Sequence, residues 1–283
     1  MPNNWRKFTK LAEPALVEGD KTTLYIRGYT GNKLTTNVMK DIYSLQKPLS
    51  SFLNRKNVII PFDDASTIEY LCQKNESPLF MFSAHSKKRP NNLVMGRTFG
   101  GQILDMIELG IDSYKSISEF KNLKISLGSK PVLVFAGEAF ETEYDMIRIK
   151  NLLNDFFCGP KPTSIRVAGI EHTIQFIAHG GKIHMRVYLV EQKKTGSSSK
   201  SIVELTEMGP RLELSVRRTR IASFDHFKLA CKQQPKVSKS KKTRNVSKDA
   251  FGATRGKLHM QRQALQSLHH VHSAPKRLLP VNE

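Results

Sequence analysis

Residues 172–220 contain four successive segments with strand character, HTIQFIAH, KIHMRVYLVEQ, SIVELTEMG and RLELSVRRTR. In several of them apolar and polar residues alternate with the two-residue period of a β-strand. A chain with that many adjacent strands has to build a sheet, and the segments before them supply helices to cover it. EYDMIRIKNLLNDFF reads as a helix, with Tyr144, Ile147, Leu152 and Phe156 able to share an apolar side and Gly159-Pro160 as its stop. KPVLVFAGE is a continuous apolar run that suits a strand covered on both faces, and SIRVAG reads as a further strand. SFDHFKLACKQ is a closing helix.

The same theme stands earlier in the chain. TTNVMKDIYSLQ and DASTIEYLCQK have helical spacing with Thr or Asp at their starts as caps, and PLFMFSAH and LVMGRTF read as strands. The segment SKKRPNN between those strands favours a loop, and ILDMIELGIDSY fits either a helix or a strand. The expected fold class is therefore α/β, two related halves joined near residues 125–131. The expected boundaries are an N-terminal extension at 1–24, halves at 25–128 and 129–233, and a basic tail at 234–283.

Length agrees, because 283 residues lies near the size at which one core divides. The tail is set apart by charge. Residues 232–283 hold 12 Lys or Arg against Asp249 and Glu283, half of the formal net charge of +20. KQQPKVSKSKKTRNVSK has almost no large apolar residues, so it is expected to be disordered when free. Leu258, Leu265 and Leu268 in GKLHMQRQALQSLHH suit a short helix that forms on a partner. A chain with this charge repels itself without a polyanion nearby, which points to nucleic acid or an anionic surface.

Other classes lose support. The opening MPNNWRKFTKLAEP has no apolar leader core, and no stretch approaches the roughly 18 apolar residues of a membrane span, so no membrane association is expected. Cys72, Cys158 and Cys231 lie far apart with no C-x-x-C pair, which fits a reducing compartment. Gly128-Ser129-Lys130 resembles the end of a phosphate loop, but Leu123 stands where its first glycine belongs. His269, His270 and His272 form a possible metal cluster, although a polar tail explains them more simply. His172, His179 and His184 fall on strand segments, where a hydrogen-bonded structural role is expected. No catalytic residue, cofactor or metal site is expected.

Basic residues on structured elements carry the functional reading. Lys87, Lys88 and Arg89, followed by Asn91, Asn92 and Arg97, put several donors on and beside one loop. Arg can hold two phosphate or base-edge acceptors at once and Lys adds a point charge, the mixture that suits an RNA backbone. The plain alternative is a solvated turn or a nuclear localisation signal. A second group, Arg217, Arg218 and Arg220, ends a strand on which Arg218 and Arg220 are expected on one face and Arg217 on the other. Its plain alternative is an edge strand guarded by charge. Lys239, Lys241, Lys242 and Arg244 are the expected tail contacts.

FSAHSKKRPNNLVMGR, KNVIIPFDD, GSKPVLVFAGE, LLNDFFCG and EMGPRLELSVRRT together resemble the Brix-domain family over roughly residues 25–235. GKLHMQRQALQSL also resembles the C-terminal segment of one branch of it. The resemblance implies two intertwined α/β halves and a non-catalytic nucleolar assembly factor of the large ribosomal subunit. Such a factor is expected to form a heterodimer with the regulator of ribosome synthesis protein. It is also expected to bring 5S rRNA and its ribosomal proteins to the pre-60S particle and to contact pre-rRNA. Lys87, Lys88, Arg89 and Asn92 match the family's basic turn, and Arg217 and Arg218 its paired arginines after Gly209-Pro210. The N-terminus is less basic than that family's arm, and the end HHVHSAPKRLLPVNE lacks a final lysine-rich block. Two other readings stand beside it: a metal-dependent nuclease using Asp63, Asp64 or Asp145, and a basic ribosomal protein retained in the mature subunit.

Overall fold

The computed structural model describes residues 19–120, 125–159, 165–194, 201–231, 245–258 and 260. The chain forms two units, 1–231 and 232–283. In the first, a single mixed sheet runs in the order β2-β1-β3-β4-β5-β10-β8-β7-β6, with β9 alongside β8. Its strands are β1 (Thr23–Gly28), β2 (Ser50–Asn57), β3 (Leu79–Ala84), β4 (Asn92–Phe99), β5 (Gln102–Lys115), β6 (Val132–Ala136), β7 (His172–His179), β8 (Lys182–Lys194), β9 (Ser201–Glu207) and β10 (Arg211–Arg220). The helices are α1 (Lys33–Gln46), α2 (Ser66–Lys74), α3 (Ala139–Thr142), α4 (Tyr144–Phe157) and α5 (Phe224–Ala230).

Each half opens with parallel pairing, β1 with β2 and β3 in the first and β6 with β7 in the second, with helices in the connections, and continues into antiparallel strands. The halves meet where β10 pairs antiparallel with β5, so the last strand of each half lies against that of the other. The ambiguous segment ILDMIELGIDSY is the long central strand β5. Its apolar residues serve both faces, Leu109 and Ile111 on one and Met106 and Ile103 on the other.

Coverage differs between the halves. On one face, α1 and α4 bury Val38, Met39, Ile149, Leu152 and Phe156 against Tyr25, Met81, Leu109, Phe176 and Leu214. On the other, α2 buries Ile68 and Cys72 against Leu24, Ile26, Phe80, Phe82 and Val94. Strands β3 and β4 are thus buried on both faces, whereas β7, β8 and β10 alternate between buried apolar and half-buried polar residues. Burial pushes the Cys72 thiol, with Glu69 adding, up to about 12, so it stays a neutral apolar packing group.

Three sequence expectations change. The run at residues 130–138 is no doubly covered strand: β6 is an edge, with Val132 39% and Val134 40% exposed. The apolar side of α4 is set by Met146, Ile149, Leu152, Leu153, Phe156 and Phe157, while Tyr144 and Ile147 are exposed, because the contacts with the sheet select a stripe rotated from the one chosen. SIRVAG contributes a 3-10 turn at Val167–Gly169. Strands β1 and β2 were not anticipated. β2 is a half-exposed edge with little apolar content, SSFLNRKN, so periodicity has little to register.

In the second unit, β11 (Val246–Lys248) and β12 (Thr254–Gly256) pair antiparallel as a short hairpin inside a segment expected to be without order. Gly256, expected to begin a helix, lies in that strand. The remainder of the expected helix from residue 261, and the tail contacts Lys239, Lys241, Lys242 and Arg244, lie outside the described residues.

Candidate nucleic-acid interface

The expected basic residues divide into two groups on opposite faces of β4 and β5. Spacing along β5 causes this, since Asp105 and Glu108 are three residues apart and a strand places odd separations on opposite sides. Both acids are buried, Asp105 2% and Glu108 1% exposed, so each needs donors.

Asp105 sits beneath α4 and takes Arg97. The Arg97 Nε donates to its Oδ2 at 2.8 Å and Nη2 makes a second, shorter bond to the same oxygen. Arg148 Nη2 donates to Oδ1 at 2.7 Å. The remaining donor of Arg97, Nη1, reaches Asn151 Oδ1 at 2.7 Å and Asp155 Oδ2 at 2.6 Å. Phe227 of α5 closes the site, with the Arg148 guanidinium 3.4 Å from its ring centroid. Burial alone would raise the Asp105 carboxyl. The Ala222 amide and the Arg148 and Arg97 guanidiniums outweigh it and hold the group below its ordinary value. Arg97, expected beside the basic loop as an RNA contact, is 7% exposed, and each of its guanidinium nitrogens is bonded to Asp105, Asn151 or Asp155.

Glu108 lies on the other face and gathers a different set. Asn92 Nδ2 donates to its Oε1 at 2.6 Å, Arg218 Nε to its Oε2, and Arg89 Nη1 lies 3.5 Å from Oε2. Arg217 joins through Asn92, donating from Nη1 to Oδ1 at 3.2 Å. Arg217, Arg218 and Glu108 therefore share a face, which overturns the expected divergence of Arg217 and Arg218. The cause is a bulge: Val216 pairs with Leu109 and Arg218 with Glu108, leaving Arg217 as the extra residue. Gly110 provides the seat, because a Cβ there would come within 2.4 Å of the Arg217 guanidinium. Phe62, from the β2–α2 connection, lies 4.1 Å beneath the Arg218 guanidinium.

Three arginines thus gather around one carboxylate, and they are not sealed. The Arg218 side chain is 35% exposed and that of Arg89 41%. Lys87 and Lys88 are exposed on the same β3–β4 turn and make no ion pair among the described residues. Arg220 pairs in register with Met106, two positions from Arg218 on the same face, and is exposed. Asp112, hydrogen-bonded by Lys182 at 2.8 Å, is held below its usual range chiefly by that ammonium, with Ser215 and Arg217 adding. The result is a rigidly held patch with excess positive charge, the form that phosphate binding requires.

The turn itself is ordered by its neighbours. Asn91 adopts φ 47° and its N–H donates to His85 Nδ1 at 3.1 Å, while Asn32 Nδ2 donates to Asn91 Oδ1 at 2.7 Å. Asn32 also caps α1, its Oδ1 accepting from the Thr35 N–H at 2.8 Å. Sequence reasoning found the cations and missed the organiser Glu108, the seat Gly110 and the ring Phe62. An acid inside the apolar run MIELGI was the available sign.

The aspartates of the nuclease reading are not brought together. Asp64 precedes α2 and accepts from the Ser66 N–H at 2.9 Å, and Asp145, in the first turn of α4 on the opposite face, accepts from Thr219 Oγ1 at 3.2 Å. Among the described residues no group of three or more His, Cys, Asp or Glu could hold a metal ion.

The Brix domain family profile matches residues 28–218. The human protein named ribosome production factor 2 homolog is 46% identical over 251 residues, covering 89% of this chain and 81% of that protein. The Saccharomyces cerevisiae ribosome biogenesis protein RPF2 is 38% identical over 280 residues, covering 94% and 81% respectively. Among solved structures, a probable ribosomal biogenesis protein from Aeropyrum pernix K1 aligns with 72% of this chain and 99% of its own, at 9% identity and a TM-score of 0.44.

Proposed function

This chain belongs to the Brix-domain family and to its ribosome production factor 2 group, and on that premise we propose that it serves ribosome biogenesis as a non-enzymatic RNA-binding scaffold of the large subunit. The bound RNA is 5S rRNA, held through its backbone by Lys87, Lys88, Arg89, Arg217, Arg218 and Arg220. The observation that carries this reading is the Glu108 cluster, in which three arginines gather around one buried carboxylate and stay open to solvent. Beside them stand two lysines that make no ion pair among the described residues. Asn92 acts as a positioning residue, since its amide is spent between Glu108 and Arg217.

In this reading the protein forms a heterodimer with the regulator of ribosome synthesis protein. The pair brings 5S rRNA and its ribosomal proteins to the pre-60S particle in the nucleolus, and the basic tail adds contacts to pre-rRNA. The geometry favours backbone over base-edge readout, because guanidiniums anchored on a sheet around one carboxylate present charge at fixed spacing.

A salt-titrated binding assay on 5S rRNA and on an unrelated RNA of equal length, with and without residues 232–283, tests it. The expected result is a preference for 5S rRNA that survives removal of the tail, with affinity falling as salt rises by a log–log slope of about −0.7 to −0.9 per phosphate contacted. Equal binding of both RNAs, lost with the tail, would overturn the placement of recognition on the sheet.

A further inference from the structure

The β1–α1 turn presents an aromatic ring that the fold does not use. Tyr29 is 62% exposed, yet its backbone is fixed: its N–H donates to the Asn57 carbonyl at 2.8 Å, and the Gly31 N–H returns to the Gly28 carbonyl at 3.2 Å. Gly28 is pressed against the end of β3, where a Cβ would lie 2.1 Å from the Ser83 carbonyl oxygen. That strand end runs directly into the basic turn, and two further bonds tie the turns together. The His85 N–H donates to Thr30 Oγ1 at 3.3 Å, and Asn32 Nδ2 donates to Asn91 Oδ1 at 2.7 Å. Lys56 Nζ stands 5.7 Å over the Tyr29 ring. An exposed ring on a rigid turn therefore sits beside Lys56 and the turn that carries Lys87, Lys88 and Arg89.

We propose that Tyr29 is a stacking platform for an unpaired RNA base, whose flanking phosphates rest on Lys56 and the Lys87–Arg89 turn. This rests on the RNA-binding reading above and names the element recognised: an unpaired nucleotide, not an uninterrupted helix. The argument is one of chemistry. In a duplex the bases are stacked on each other and offer no free π-face, whereas a splayed base stacks on an aromatic side chain while cations hold its backbone. Lysines around the ring suit an anionic strand and would weaken an apolar protein anchor there. Lys56 lies over one face of the ring, so the base takes the other.

The test uses the full chain and two RNA stems of one sequence, one perfectly paired and one carrying a single unpaired adenosine. The wild type is expected to prefer the interrupted stem. Tyr29→Ala should lose about five- to tenfold on that stem, the low end of a base–aromatic stack, and nothing on the paired one. Tyr29→Phe should keep the preference, and Lys87→Ala with Lys88→Ala should weaken both stems alike. Thermal melts of the variants confirm that the fold is unchanged. If Tyr29→Ala matches the wild type on both stems, or weakens both equally, the stacking role is wrong while salt-dependent binding of the paired stem leaves the RNA-binding reading standing. If the wild type binds neither stem, both fall.

Discussion

Asp105 and Glu108 stand three residues apart on one strand, each buried, each gathering arginines, on opposite faces of the sheet. Beneath α4, two arginines with side chains 8% and 6% exposed meet two aspartates, each guanidinium nitrogen of Arg97 is hydrogen-bonded, and the Phe227 ring packs against both guanidiniums. On the other face three arginines gather around Glu108, and the cover stops at Phe62. The same residue types thus form a structural bolt on one side and a charged surface on the other. The ratio of acid to base and the completeness of the cover decide between these roles, and the number of arginines does not.

The first way to break that comparison is Asp105→Ala, which leaves Arg97 and Arg148 buried without their shared carboxylate. Removing one partner of a buried pair costs about 3–5 kcal/mol, so denaturant unfolding should show a loss of that size, while RNA binding of the folded protein stays at the wild-type level. An unchanged unfolding midpoint would show that the cluster is no bolt. Acid probes it without mutation. The folded carboxyl lies below its ordinary value, so its stabilisation is complete above the unfolded pKa of about 3.9 and is lost as pH falls through the lowered folded value. The Asp105→Ala protein should lack this component of the acid transition.

Arg218→Ala comes next and separates the halves of the argument. Glu108 would keep Asn92 and Arg89 and lose one charged hydrogen bond, a cost of about 1.5–3 kcal/mol, and the patch would lose one phosphate ligand. On charge alone, removing Arg217 and Arg218 is expected to weaken RNA binding without unfolding the protein. The burial of Glu108 changes that expectation for Arg218, and unfolding and binding measured on one sample decide it. A loss in binding alone would mean that Glu108 does not depend on Arg218.

These differences mark how far the residues could be read in advance. The strands of the second half were legible because each has one covered face, so polarity alternates along β7, β8 and β10. β2 was not, since its exposed edge carries few apolar residues, and α4 was found with its buried stripe misplaced, because apolar residues lie on more than one side of it. At the site, the cations were visible as runs, KKR and RRTR. Their fates were not: Arg97 lies in the same stretch as Lys87 and differs only in facing α4, and the Val216–Arg218 bulge that unites the arginines changes register without a sequence signature. Tyr29 is brought beside the basic turn by hydrogen bonds between segments some 55 residues apart, the separation between His85 and Thr30, whose hydroxyl accepts from the His85 N–H.

Lys87→Ala with Lys88→Ala sharpens the comparison from the open side. Neither lysine makes an ion pair among the described residues, so stability should stay within about 0.5 kcal/mol. The salt dependence of RNA binding should become shallower by about 0.7–0.9 in log–log slope for each phosphate no longer neutralised. A stability change with an unaltered slope would place these lysines in the fold and leave the open face with arginines alone.

The smallest effect is expected from Lys21, which tests whether pairing or exposure assigns the role. Its ammonium lies 2.6 Å from Asp155, the same carboxylate that receives Arg97, but its side chain is 48% exposed. By pairing it belongs to the bolt, and by exposure to the surface. Ion pairs in that position are worth about 0–1 kcal/mol, because water competes for both charges and a long side chain must be ordered. Lys21→Ala should therefore move the unfolding midpoint by a small fraction of the Asp105→Ala shift, and it should leave RNA binding unchanged, since Lys21 sits with the α4 face, away from the Glu108 cluster. A loss approaching that of Asp105→Ala would mean that Asp155 needs two cations and that the bolt extends to the solvent boundary. A loss of RNA binding would mean that the basic surface continues around the edge of the sheet, and that the division by faces is too sharp.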